Sequence, residues 1–171
     1  LAINSLRKLY RLITYKIFIL KFLLLFNMST KIYQLEQNES YALIDWLGTD
    51  LVQENYEELE LAVRLLFKKD YTNMILNIAK VQNLDGFGVS AIRKATKICT
   101  NELGLFVVVC KVDDVVDRLD QAKIDNLTIM NSIQEGVDAI YLNDLENDFE
   151  DESDANTDEY GIDGSDLGED Y

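Results

Sequence analysis

The chain has 171 residues, 48% of them apolar, which is enough for one domain with a proper core. It carries 31 acidic against 16 basic residues, a formal net charge of -15, which repels nucleic-acid backbones and argues against nucleic-acid binding. With no His, the commonest general base and metal ligand is missing, and Cys99 and Cys110, both in apolar runs, read as buried free thiols of a reducing cytoplasm, not as a disulfide or a metal site.

Residues 1–27 hold Arg7, Lys8, Arg11, Lys16 and Lys21 and no acid. The apolar run 17–26 is broken by Lys21 and is shorter than the ~20 residues that a bilayer span needs, so no transmembrane helix is expected. No small-residue cleavage site supports a signal peptide. Two readings stand: a basic amphipathic helix on a membrane surface, or an extension upstream of a natural start at Met28-Ser29-Thr30. The domain proper is expected over 28–142.

Residues 31–37 and 41–47 are rich in Ile, Tyr, Leu and Trp, and Asn38-Glu39-Ser40 separates them; they predict a β-hairpin. Residues 55–69 predict the clearest helix. Asn55 and Glu58 make a capping-box-like start, Leu59, Ala62, Val63 and Leu66 an apolar stripe, and Glu60 with Arg64 an i, i+4 pair, while Lys68 and Lys69 close the last turn. The early acids Glu57, Glu58 and Glu60 suit the positive end of a helix dipole and are read as structural.

Residues 73–110 organise the rest. Two apolar strands are expected, over 74–78 and 105–109. Between them Gly88, Ala91, Ile92, Ala95, Ile98 and Cys99 recur on one helix face, with Arg93, Lys94 and Lys97 on the other. This is a βαβ unit, so its strands are expected to be parallel and its crossover right-handed. Asp85 stands where it would cap the helix, and Gly104 where a helix commonly ends in the left-handed conformation. The loop Asp85-Gly86-Phe87-Gly88 therefore lies at a helix start beyond the carboxyl end of a strand, where open α/β sheets tend to put their sites.

Val112, Val115, Val116 and Leu119 predict a helix over 113–122, and a short strand follows over 127–130. Ser132 and Glu135 then form a second capping box before a last helix whose inner face is Ile133, Val137, Ile140 and Tyr141. The order ββαβαβαβα makes an α/β fold: a mixed sheet, with an antiparallel opening hairpin joined to parallel strands, and about four helices. From Asn143 the composition is Asp, Glu, Asn, Ser and Gly, with 13 acids and no base between Asp144 and Asp170, and 143–171 reads as a disordered acidic tail. Its role is solvation, or docking onto a basic partner surface.

This layout and its central loop resemble the STAS domain of bacterial anti-sigma factor antagonists. In that family the loop reads Asp-Ser-(Ser/Thr)-Gly, and the residue after the Asp is the one a partner kinase phosphorylates. Here Asp85 and Gly88 match, while Gly86 and Phe87 replace both hydroxyl positions. Asp50, just after Gly48, stands near the position where the family carries an Asp behind its second strand. The resemblance implies a cytoplasmic regulator of transcription whose unphosphorylated form captures an anti-sigma factor and whose phosphorylated form does not.

No phosphorylation is expected at Gly86 or Phe87; Ser90, one turn further on, is either a substitute acceptor or an ordinary helix residue. The expected partner surface is Asp50, Asp85, Gly86, Phe87, Gly88 and Ser90, with Phe87 either an exposed apolar anchor or turned inward to pack. The expected partner is an anti-sigma factor kinase-like protein or another regulatory protein. No enzyme activity is expected, because the loop offers only Asp85 and Ser90 with no base to activate a nucleophile, and its glycine pair lacks the further glycines or Lys of a phosphate cradle. No cofactor and no metal are expected either. The alternative is an accessory STAS subunit of a membrane lipid transporter, or a nucleotide-sensing STAS domain.

Overall fold

The computed structural model describes Lys16 and residues 32–154; apart from Lys16, the expected extension over 1–27 and the end of the expected tail lie outside the described residues. In chain order the elements are β1 (Tyr33–Gln37), β2 (Ala42–Trp46), β3 (Asp50–Leu51), α1 (Tyr56–Phe67), β4 (Met74–Asn77) and β5 (Asn83–Leu84). They continue with α2 (Gly86–Thr100), β6 (Phe106–Val109), α3 (Asp113–Gln121), β7 (Thr128–Met130) and α4 (Ile133–Asp154). The main sheet has the order β1-β2-β4-β6-β7. β1 and β2 form the antiparallel hairpin, Tyr33 opposite Trp46, and every other pairing in that sheet is parallel, as the βαβ reading requires. A second sheet, β3 beside β5, was not expected: two-residue strands are too short for any periodicity to show.

Alternation along the strands gives the sheet two apolar faces. On one, Leu43, Ile75, Val107 and Val109 form a buried cluster with Ile140 of α4, and Tyr41, Leu105, Met130, Ile133 and Val137 pack around it. The intervening side chains Ile44, Trp46, Met74, Leu76, Phe106 and Val108 are buried on the other. There α2 packs against β6, and α1 packs against α2. The predicted stripes are buried, Leu59, Ala62, Val63 and Leu66 on α1 and Gly88, Ala91, Ile92, Ala95 and Cys99 on α2, except that Ile98 is only half-buried and Thr96 is buried with the α2 set. Both cysteines are buried and free, and burial pushes the Cys99 thiol up to about 12, which makes it inert as a nucleophile.

Four local expectations are corrected. Asn55 does not form a capping box with Glu58; its side chain turns back, accepting from the Val52 N–H at 2.8 Å and donating to the Asp50 carbonyl at 2.9 Å. Gly104 is not the left-handed residue at the end of α2. Leu103 is, at φ 59, in a turn closed by Gly104 N–H to the Cys99 carbonyl (2.9 Å) and Leu103 N–H to the Thr100 carbonyl (3.1 Å). Gly104 is required for a different reason: a Cβ there would collide with the backbone carbonyl of Thr72. Tyr141, expected on the inner face of the last helix, is 50% exposed.

The fourth correction concerns where the last helix ends. It does not stop near Leu142 but runs to Asp154, and its polar residues bond to the domain. Asn143 and Asn147 each donate a side-chain N–H to the Leu103 carbonyl, at 3.1 and 2.9 Å. Asp144 accepts from the side-chain amide of buried Asn73 at 3.0 Å, and Asn73 in turn accepts from the Leu105 N–H at 2.9 Å. At the start of the helix the second capping box does form, with Ser132 Oγ accepting from the Glu135 N–H. The Glu135 carboxylate reaches back to Asn131, one residue earlier than the usual partner.

A leucine in the left-handed region costs about 1–2 kcal/mol, and the Leu103 side chain is 69% exposed, so it recovers little by burial. Leu103→Gly is therefore expected to stabilise the fold by about 0.5–1 kcal/mol once the greater freedom of glycine in the unfolded chain is subtracted. The readout is a higher urea midpoint at unchanged slope, and a lower midpoint would contradict this account of the turn. Gly104→Ala is expected to cost roughly 1–3 kcal/mol in the same measurement.

Candidate functional site

The β3–β5 pairing is what assembles the site. It sets Asp50 beside Asn83 and Leu51 beside Leu84, so Asp50 and the loop that starts at Asp85 lie at the same place. Further backbone bonds extend the contact, from Gln82 N–H to the Thr49 carbonyl at 2.7 Å and from Asp85 N–H to the Leu51 carbonyl at 3.3 Å. Trp46 ties this segment to the core: the side chain is fully buried and donates its indole N–H to the Asp50 carbonyl at 3.0 Å. A buried Trp commonly satisfies its N–H in this way.

Asp85 is the capping residue that its position implied, and it does more. Oδ1 accepts from the N–H groups of Phe87 and Gly88, both at 2.9 Å, and Oδ2 accepts from the N–H of Gln53 at 2.9 Å. One carboxylate thus holds the start of α2 and the segment before α1. Partial desolvation pushes its pKa up, but the three backbone bonds and the positive charge of Arg118 outweigh that and leave it lowered. Arg118, on α3, also donates to the Leu84 carbonyl, bracing β5 from the other side. The Asp50 carboxylate is held by the Asn83 amide at 2.5 Å and the Thr49 hydroxyl at 2.8 Å, and these bonds lower its pKa. Both aspartates are therefore held as anions below neutrality, the opposite of a carboxylate tuned for proton transfer.

The two glycines of the loop do different work. A Cβ on Gly88 would collide with the Leu51 carbonyl and lie 2.7 Å from Leu84 Cδ1, so glycine is what lets α2 approach the β3–β5 sheet. Gly86 is exposed, and a Cβ there would meet open space. Phe87 is 44% exposed, with one side of its ring against Tyr56 at a centroid distance of 5.4 Å and a tilt of 39°. Of the two readings offered for it, the outward one describes the structure: the ring is steadied by a neighbour, not buried. Ser90 is exposed on the same helix.

The structure sets Asp50 beside the loop from Asp85 to Gly88 and leaves Gly86, Phe87 and Ser90 exposed, while Gly88, expected on the partner surface, is buried because the helix packs there against Leu51 and Leu84. It adds Gln53, Tyr56, Trp46 and Arg118, which sequence reasoning missed. Only Tyr56 left a signal, since it continues the apolar stripe of α1 one turn beyond Leu59. Beside the loop lies an open cleft of ≈ 460 Å³ lined by residues that include Asn83, Asp85, Asp114, Asp117, Arg118 and Gln121. Among the described residues, no group of three Cys, Asp or Glu side chains could hold a metal ion, and no helix is long and apolar enough to cross a membrane.

The family model of the STAS domain matches residues 33–138. No curated protein sequence matches the chain. Among solved structures, similar ones include an anti-sigma factor antagonist from Mycobacterium paratuberculosis, with 14% identity, a TM-score of 0.58, and 64% of this chain and 92% of that one covered. A variant of RsbS from Moorella thermoacetica shares 14% identity at a TM-score of 0.55, over 64% of this chain and 94% of that one. The Bacillus cell fate determinant SpoIIAA, in its phosphorylated form, shares 15% identity at a TM-score of 0.51, over 63% and 98%. At these identities the likeness is one of fold.

Because the Asp85 pKa is lowered in the folded state, the stability it contributes is present above the unfolded-state value of about 3.9 and is lost as pH falls through the folded value. Asp85→Asn keeps one accepting oxygen but gives up the bond to Gln53 and the charge. It is expected to be less stable than the parent by roughly 1–2 kcal/mol near neutral pH, with the gap starting to close as pH falls below about 4, where the unfolded chain takes up the proton, and closing fully only below the lowered folded value, where the folded parent is protonated too. Urea titrations across that range check it; a gap independent of pH would contradict the anionic clamp.

Proposed function

The chain belongs to the STAS domain family, and from that premise we propose that it is a regulatory binding module of the anti-sigma factor antagonist kind, not an enzyme, acting in the cytoplasm. Its partner surface is the Asp85 loop with the start of α2, joined by Asp50, and the partner is an anti-sigma factor of the kinase-like type. The observation that carries this is Phe87: an aromatic side chain 44% exposed at a helix start, seated on Tyr56 and flanked by an open glycine. Aromatic side chains already held in place lose little freedom on binding and often supply most of the energy of an interface.

The surface works without the usual switch. The family's switch adds about two negative charges at this helix start, and here neither Gly86 nor Phe87 has a hydroxyl to accept a phosphate. The loop is then a constant binding face, on or off only through the supply of its partner. The alternative implied by the resemblance is a transporter-associated or nucleotide-sensing role, and recovery of an ABC ATPase with the protein in place of an anti-sigma factor would favour the former.

The test measures affinity for the kinase-like anti-sigma factor of the host. Phe87→Ala is expected to weaken binding by about tenfold or more, at a cost of roughly 1.4 kcal/mol, while Ser90→Ala leaves it within about twofold. With ATP present, the kinase is expected to leave the parent chain unmodified and to phosphorylate Gly86→Ser, since the added side chain meets no neighbour. Phosphate found on Ser90 of the parent chain would overturn the constant-face reading.

A further inference from the structure

α4 is apolar on two sides. Ile133, Val137 and Ile140 meet the sheet, and Gly136 lets the helix approach it closely, since a Cβ there would lie 3.2 Å from Val107 Cγ1. On the far side Tyr141, Leu142, Leu145 and Phe149 are 50, 61, 52 and 67% exposed. Leu142, Leu145 and Phe149 follow the i, i+3, i+7 spacing, so they form one stripe along the helix, turned away from Ile140. Exposed Leu and Phe in a row mark a contact surface.

Charge identifies what would cover it. No Lys or Arg follows Lys123 in the chain. Asp138, Glu146 and Asp148 are exposed alongside the stripe, and the last turn of α4 carries no base. α4 has no Lys or Arg of its own to pair with these exposed acids, so a cationic neighbour would complement them. A second copy of this chain would set the same acids against one another. The stripe also lies away from the Asp85 loop. α4 runs past the ends of β4 and β6 where those strands begin, at Asn73 and Leu105, whereas Asp85 lies beyond the end where β4 finishes.

We propose that the outer face of α4 is a second docking surface, taking a basic amphipathic helix of another protein. Its apolar side chains seat along Leu142, Leu145 and Phe149, and its Lys and Arg pair with Asp138, Glu146 and Asp148, the helix-on-helix mode of recognition. Being at the other end of the sheet, this surface can be occupied while the Asp85 loop is engaged.

The test uses the full chain and, as probe, a fluorescent peptide of about 18 residues built from Leu and Lys in amphipathic helical order. Saturable binding that weakens as salt rises is expected. Leu145→Ser with Phe149→Ser is expected to weaken it about tenfold or more, and Glu146→Lys with Asp148→Lys, which leaves the apolar stripe intact, by a similar factor. Leu61→Ser with Leu65→Ser, on the exposed side of α1, is expected to change it by less than about twofold. The proposal is overturned if the peptide does not bind, if a scrambled peptide of the same composition binds as well, or if both α4 variants bind like the parent. It is equally overturned if sedimentation shows a dimer that Leu145→Ser with Phe149→Ser dissolves, for then a second copy covers the stripe.

Discussion

The Asp85 carboxylate is the point on which the functional end of the molecule depends. It accepts three backbone N–H groups, two from the residues just after it and one from Gln53, 32 positions before it in the chain. Two of these belong to the first turn of α2, whose N–H groups would otherwise be unpaired, and the third belongs to the segment leading into α1. Hydrogen bonds to a charged acceptor are stronger than neutral ones, typically about 1.5–3 kcal/mol each, though exposure to solvent reduces that here. Gly88 makes the arrangement sterically feasible by letting α2 come up against Leu51 and Leu84. Trp46 then links the clamp to the sheet through the Asp50 carbonyl. Phe87 and Tyr56 meet because these two helix starts are tied to each other.

That rigidity bears on function. A surface already held in place avoids the cost of ordering loops on association, which suits a loop whose Gly86 and Phe87 carry no hydroxyl. The same clamp makes Asp85 a poor catalytic group, because its lone pairs are committed and its pKa is lowered. Elsewhere the chain is strongly acidic, so partners with basic surfaces are steered toward it and anionic ones are repelled.

Much of the fold could be read from residue spacing, because its principal elements are long enough to show a period. The stripes of α1 and α2 and the apolar runs of β4 and β6 all appear where the pattern put them. What escaped has a physical reason in each case. β3 and β5 are two residues each, and their pairing depends on neighbours 33 residues away, such as Asp50 and Asn83. The later turns of α4 are held partly by Asn143, Asp144 and Asn147 bonding to the Leu103 turn and to Asn73, and composition counts such residues as solvated. At the end of α2, the general preference for glycine in left-handed positions pointed to Gly104, but there a steric demand from Thr72 takes the glycine and leaves Leu103 with the strained angle. Asp50 and the loop from Asp85 to Gly88 were legible as a list, whereas Gln53, Trp46 and Arg118, which hold them, were not. Nor was their assembly, since it rests on the short β3–β5 pairing.

Binding of a regulatory partner at the preformed Asp85 loop is the proposal on which the functional reading rests. It is tested most directly by following the backbone amide signals of the isotopically labelled chain in solution as the kinase-like anti-sigma factor is added. The expected result is that the signals of Gln53, Tyr56 and Gly86 through Ser90 shift or broaden first and most, while those of β1 and α3 stay in place. Signals that move elsewhere while the Asp85 loop is unaffected would contradict it.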